Sequence, residues 1–138
     1  MKIVKSSTVL LEDVNLEGAV ATKMRWLISK EDKAPNFAMR LFEVDEGGET
    51  PYHTHQWEHE AYVLEGSGYL RVGKTEYPFS KDDVIYVEPE LIHQFVNNGS
   101  KKLKFLCLVP IEYGQQKTEG KKKVSKNPFS ASKQVNNC

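Results

Sequence analysis

The chain has 138 residues, 19 basic and 19 acidic side chains, and a formal net charge of zero. That length suits one domain with a core of its own, so no disulfide scaffold is needed. Balanced charge gives no general ground for binding nucleic acid or membranes, no apolar run reaches the ~18 residues of a transmembrane helix, and residues 1–11 hold no apolar stretch of signal-peptide length, so a cytoplasmic setting is expected.

In chain order, residues 2–10 read as a first strand and residues 10–16 as the one stretch whose pattern admits a helix. Further strands are expected at 21–29, 37–44, 59–64, 69–72, 75–79, 84–87, 93–96 and 103–109, where β-branched and aromatic residues gather in short runs. Turn chemistry separates them: Glu46-Gly47-Gly48, Gly66-Ser67-Gly68, Gly73-Lys74, Pro89-Glu90 and Asn98-Gly99. Gly73-Lys74 between two alternating runs predicts a two-residue hairpin. Many short strands at close spacing predict an all-β sandwich or barrel in one domain, residues 1–112. Beyond it the composition changes. Residues 111–138 carry six Lys and two Glu and few large apolar groups, so residues 113–138 are expected to be a flexible, Lys-rich tail. Cys107 lies in the apolar run 103–109 and reads as buried, whereas Cys138 ends the chain; two such cysteines suggest no disulfide framework.

The chain has four histidines. His53, His55 and His59 fall within one short segment, and His93 opens a later strand. On a strand, residues i and i+2 point to one face with Cα atoms roughly 6.6 Å apart, so His53 and His55 can converge on one ion. His59 follows after Gln56-Trp57-Glu58, and His93 can complete the set from another strand. Such an all-nitrogen site suits Mn, Fe, Co, Ni, Cu or Zn and does not suit Mg or Ca. Glu60 is the rival to His59; alternation puts the two on opposite faces, so both cannot readily ligate, and Glu60 is left as an outer-face or supporting carboxylate.

These residues resemble the two signature motifs of the cupin superfamily. Gly47, His53, His55 and Gly66 match G-x5-H-x-H-x3,4-E-x6-G, with His59 in the Glu position. Pro89, His93 and Asn97 match G-x5-P-x-G-x2-H-x3-N, with Asp83 in place of the first Gly, the second Gly absent, and Pro89 to His93 one residue short. The His-for-Glu exchange resembles small single-domain cupins with four histidine ligands, some of which contain manganese. The resemblance implies a cupin-type antiparallel jelly-roll β-barrel, one divalent metal with manganese foremost, and a homodimer in which N-terminal strands within residues 1–35 are exchanged.

Four neutral imidazoles leave the full charge of a divalent ion in place, which favours an anionic organic ligand and strong Lewis acidity. The expected function is a metal-dependent oxygenase acting on a small organic substrate. The alternatives are a Lewis-acid isomerase or lyase and a non-enzymatic small-molecule sensor. Alternation and position suggest Arg40, Phe42, Tyr62, Phe95, Phe105 and Cys107 as pocket-lining residues, and Glu60, Gln94 and Asn97 as supports for the ligands.

Overall fold

The computed structural model describes residues 1–114, so the Lys-rich tail expected over residues 113–138 lies, apart from its first two residues, outside the described residues. Among the described residues nine strands form: β1 (Glu12–Asp13), β2 (Val20–Ile28), β3 (Phe37–Glu49), β4 (His59–Glu65), β5 (Ser67–Val72), β6 (Thr75–Ser80), β7 (Val84–Val87), β8 (Gln94–Val96) and β9 (Leu103–Pro110), followed by a helical turn, α1 (Ile111–Gly114). All pairings are antiparallel. The order is β6-β5-β8-β3-β9-β4-β7, with β2 also on β3 and β1 on β2. This is the jelly-roll arrangement expected from the sequence.

β3 is the hinge of the roll. Phe37 to Val44 pair with β9, while Glu49 pairs with Val96 of β8. The strand bends between these parts, where Val20 opposes Glu49 but Thr22 opposes Val44. A side chain at Gly48 would sit 2.6 Å from the Val20 carbonyl oxygen, so glycine permits the close approach there. Gly66, the last glycine of the first motif, adopts φ +85° with the Lys102 carbonyl oxygen 2.6 Å from any added Cβ. The β5–β6 hairpin closes through Gly73-Lys74 as expected, with Val72 opposite Thr75.

Alternation sorts the side chains. In β9, Leu103, Phe105, Cys107 and Val109 point inward and are buried. In β4, His59, Ala61 and Val63 point inward while Glu60 and Tyr62 face solvent. Phe42 and Phe105 stack at 5.2 Å between ring centroids, and Phe95 and Phe105 at 4.6 Å. These rings fill the middle of the barrel beside the histidines. Burying each stabilises the fold by roughly 1.5–3 kcal/mol.

The N-terminal expectations need correcting. Residues 2–10 form no strand; they contain a 310 turn at Ser6–Thr8 and are almost wholly exposed. Their apolar residues come as adjacent pairs, Ile3-Val4 and Val9-Leu10, so neither face of a strand would be apolar. The arm is tied to its own β2 side by Lys2 Nζ donating to the Leu27 carbonyl and to Asp32 (2.9 Å each), and by Arg25 donating to the Ser7 and Val9 carbonyls. The Lys2 ammonium holds the Asp32 carboxyl below its ordinary pKa. Residues 10–16 form no helix either, since Glu12 and Asp13 pair with Met24 and Lys23. Seven residues cannot repay helix nucleation when a neighbouring strand offers a partner. No helix among the described residues is long and apolar enough to cross a membrane.

Candidate metal centre

His53 and His93 face each other in an isolated antiparallel bridge, His53 N to His93 O at 3.1 Å and His93 N to His53 O at 2.9 Å. The turn before His93 is docked onto the other histidine segment: Glu90 N donates to the His55 carbonyl at 2.7 Å, and Thr54 Oγ1 donates to the Glu90 carbonyl at 2.7 Å. Glu90 has φ +70°, so it takes up the left-handed conformation that the missing motif glycine would supply. That is how the shortened second motif still delivers His93. His55 shares the face of His53, and His59 opens β4 opposite Val87.

The four rings pack edge to face. Centroid separations are 4.9 Å for His53–His55 and His53–His93, 4.6 Å for His55–His59, 5.0 Å for His55–His93 and 5.1 Å for His59–His93. Candidate ligand atoms of His53, His55 and His93 lie within 4.8 Å of one another. His59 Nε2 lies 2.8 Å from His55 Nε2. Around an ion bonded to nitrogen at ~2.0–2.1 Å, donors fall about 3–4 Å apart, so His53, His55 and His93 are positioned for a possible metal site, while His59 adjoins that trio through His55 without belonging to it.

The protonation pattern fits as well. His55 Nδ1–H donates to the Trp57 carbonyl and His93 Nδ1–H to the Leu91 carbonyl, both at 2.8 Å. Each bond places the lone pair on Nε2, the arrangement that metal-ligating histidines use. The Nε2 atoms of His53 and His93 are shut off from solvent and make no hydrogen bond at that position, although both rings are held by their neighbours. His59 is held well below the usual imidazole pKa, first by burial and then by the crowding of His55, His93, Arg40 and His53, beside which a second positive charge is unfavourable. It is therefore neutral, the form that binds a metal. Nitrogen donors without a carboxylate suit a first-row transition ion.

Of the other sequence candidates, Arg40 and Cys107 come to the centre. Arg40 is fully buried, its guanidinium 5.6 Å from the Trp26 ring and 5.1 Å from the Phe42 ring. Arg40 Nη2 donates to Cys107 Sγ at 3.2 Å, and that sulfur lies 3.3 Å from His59 Nδ1. Phe42, Phe95 and Phe105 are fully buried and stacked on one another, so they are core rather than cavity wall. Tyr62 is on the outer face, its hydroxyl donating to Asp82 at 3.2 Å, because it alternates with the inward Ala61 and Val63. Glu60 is likewise outside, and a hydrogen bond shared with Glu58 pushes its carboxyl up to about 7. Gln94 and Asn97 support backbone rather than ligands. Gln94 Nε2 donates to the Thr50 carbonyl at 2.8 Å, and Asn97 Nδ2 to the carbonyls of Val44 (2.9 Å) and Lys101 (2.8 Å).

Sequence reasoning missed Trp57. It is buried and stacks on His55 at 4.1 Å with 5° between the planes, and its own carbonyl takes the His55 proton. The signal was present: His53, His55, Trp57 and His59 occupy alternate positions of one segment.

Comparison with known proteins agrees with this picture. The cupin domain family Cupin_2 matches residues 40–109, a span running from Arg40 through all four histidines to Cys107. The polyketide cyclase RemF of Streptomyces resistomycificus superimposes with a TM-score of 0.77 and is 36% identical over 80% of each chain. An uncharacterized protein of Methanocaldococcus jannaschii is 34% identical over 77 residues, which is 55% of this chain and 62% of that one. The 1-methylthio-D-xylulose 5-phosphate methylsulfurylase of Rhodospirillum rubrum is 32% identical over 74 residues, 54% of this chain and 47% of that one. The matches to these two curated relatives thus cover less than two thirds of either relative's length. With its jelly-roll fold, its two histidine motifs and a family match over half its length, the chain belongs to the cupin domain family.

Proposed function

We propose that His53, His55, His59 and His93 together hold one divalent transition-metal ion, and that the protein is a metal-dependent enzyme acting on a small, enolisable or phenolic organic substrate. The observation that carries this reading is the convergence of the His53, His55 and His93 donor nitrogens, with His55 and His93 each holding Nδ1–H on a backbone carbonyl. Manganese is the ion that the four-histidine resemblance favours; Fe, Co, Ni, Cu and Zn suit the same donors. When bound, such an ion supplies Lewis-acid polarisation of an oxygen-bearing substrate. The chain's own groups do the rest. Trp57 keeps the His55 ring from turning. The stacked Phe42, Phe105 and Phe95 exclude water from the inner side, and buried Arg40 adds a fixed positive charge behind His59.

Similarity to a polyketide cyclase supports a carbonyl-rich substrate and ring-closing carbon–carbon chemistry. An oxygenase is the second reading, and it rests on the neutral donor set, which leaves the charge of a divalent ion undiminished for an anionic substrate. The test is metal content per chain on tag-free protein purified without added metal, followed by screening polyketone and phenol substrates with and without oxygen. About one transition ion per chain with turnover under anaerobic conditions is expected for the cyclase-type reading. Oxygen uptake coupled to turnover selects the oxygenase. Stoichiometric ligand binding with no turnover in either atmosphere selects a sensor, and protein that takes up no ion after reconstitution overturns the metal centre.

The homodimer belongs to the same proposal. Ile3, Val4, Ile28 and Phe37 are exposed apolar residues clustered where the N-terminal arm meets the β2–β3 edge. Two adjoining hollows there, about 310 and 250 Å³, share Ile28 and Met39. A second copy covering this face would remove a contiguous apolar patch from water. Sedimentation should give the mass of two chains, and Phe37→Glu should shift it to one; a monomeric parent protein would refute the assembly.

A further inference from the structure

Three of the imidazoles have a defined contact at Nδ1, and they are not alike. His55 and His93 each meet a backbone carbonyl at 2.8 Å. His59 instead meets the sulfur of Cys107 at 3.3 Å. That sulfur comes from β9, directly across the sheet, since Cys107 pairs with Ala61 of β4 and with Arg40 of β3. The same sulfur accepts a hydrogen bond from Arg40 Nη2 at 3.2 Å. Arg40, Cys107 and His59 are all fully buried. The guanidinium carbon lies over the Trp26 ring at 5.6 Å and over the Phe42 ring at 5.1 Å, so its position is set by packing.

We infer that Cys107 and Arg40 are positioning residues of the metal centre: the sulfur, held in place by the Arg40 guanidinium, orients the His59 ring so that Nε2 faces the ion. This rests on the four-histidine reading above. A histidine ligand needs its second ring nitrogen fixed, because otherwise the imidazole turns about its Cβ–Cγ bond and exchanges tautomers. With the Nε2 lone pair given to the ion, Nδ1 carries the hydrogen and donates to Sγ. Sulfur is a softer and longer-reaching acceptor than a carbonyl. A second donor from a rigid cation keeps it from swinging away.

The test compares Cys107→Ala, Cys107→Ser and His59→Ala with the parent chain. It reads cobalt(II) affinity by chelator competition, the visible spectrum of the cobalt-loaded protein and the melting of the metal-free protein. Cys107→Ala should weaken cobalt binding ~10–100-fold and shift the visible bands. Cys107→Ser, which keeps an acceptor, should recover most of the affinity and the parent spectrum. Parent-like affinity in Cys107→Ala overturns the inference. So does a Cys107→Ser variant as weak as Cys107→Ala at equal apo stability, since packing would then be the cause. Should Cys107→Ala lose its fold, Arg40→Met, which keeps bulk and removes the donor, carries the same comparison with the same expected loss; parent-like cobalt affinity there overturns the inference. A parent chain that binds no cobalt, or a His59→Ala chain that binds as tightly as the parent, refutes the four-histidine reading instead.

Discussion

Replacing His59 with alanine is expected to cost more metal affinity than the ~10–100-fold typical of losing an outer-shell partner, because a donor itself is removed. The ring is fully buried, its Nε2 is 2.8 Å from His55 Nε2, and it stands beside His93 with 5.1 Å between centroids. Nothing nearby in its strand can take over. Glu60 is the adjacent candidate, but it lies on the opposite face against Glu58. The check is elemental analysis together with thermal melting at increasing Mn²⁺ or Co²⁺. In the parent chain an ion at ~100 times its Kd should stabilise the fold by about 2.7 kcal/mol, seen as a rise in melting temperature. In the variant that rise should vanish while the metal-free protein still melts cooperatively. If His59→Ala retains one ion per chain at parent affinity, the site consists of His53, His55 and His93 alone.

Most of this architecture could be read before any coordinates, and the reason differs from place to place. β4 and β9 were legible because each buries one face, so alternation in residues 59–65 and 103–110 maps directly onto inside and outside. The same rule put Arg40 on one face with Phe42 and Cys107 on one face with Phe105, and all four are buried. The pocket expectation for Tyr62 was wrong, because the inward residues of β4 are Ala61 and Val63 and Tyr62 lies on the outer face. The gathering of His53, His55 and His59 was legible because they occupy alternate positions of one segment. What alternation cannot show is which distant groups meet. The contact of Cys107 with His59 spans 48 residues and that of Arg40 with Cys107 spans 67, and both depend on register between β3, β9 and β4. The N-terminal arm was misread for a related cause. Its β-branched residues satisfy strand propensity, but propensity does not supply a pairing partner, and its docking comes from side chains of β2 and the following turn, Arg25 and Asp32. Glu90 at φ +70° is a further case, because a one-residue deletion reveals only that the turn must differ, not that a glutamate will take the strained position.

Phe105→Ala should be the most damaging single truncation in the core. The ring lies between Phe42 and Phe95, nearly parallel to both at 10° and 15°, and is completely buried. It is also flanked across the ladder by Phe42 on one side and Val63 on the other. All of these neighbours belong to strands fixed by backbone pairing, so little can collapse into the space the ring vacates. Under those conditions a Phe→Ala change costs about 3–5 kcal/mol, a large part of the ~5–15 kcal/mol that holds a domain folded. Urea unfolding should therefore show a much lower midpoint with an unchanged slope. Tyr62→Phe, which removes only a surface hydrogen bond to Asp82, should stay within about 0.5 kcal/mol of the parent. The loss at Phe105 should also reach the histidines, since Phe95 lies two residues from His93 and Phe105 two residues from Cys107. Metal affinity in Phe105→Ala should fall with stability, whereas in Cys107→Ala it should fall further than the loss of stability accounts for and should return in Cys107→Ser. That contrast separates the ring stack, which holds the barrel closed, from the sulfur, which aims one ligand. A Phe105→Ala chain destabilised by less than about 1 kcal/mol would mean that the aromatic stack is not what holds the barrel's interior together.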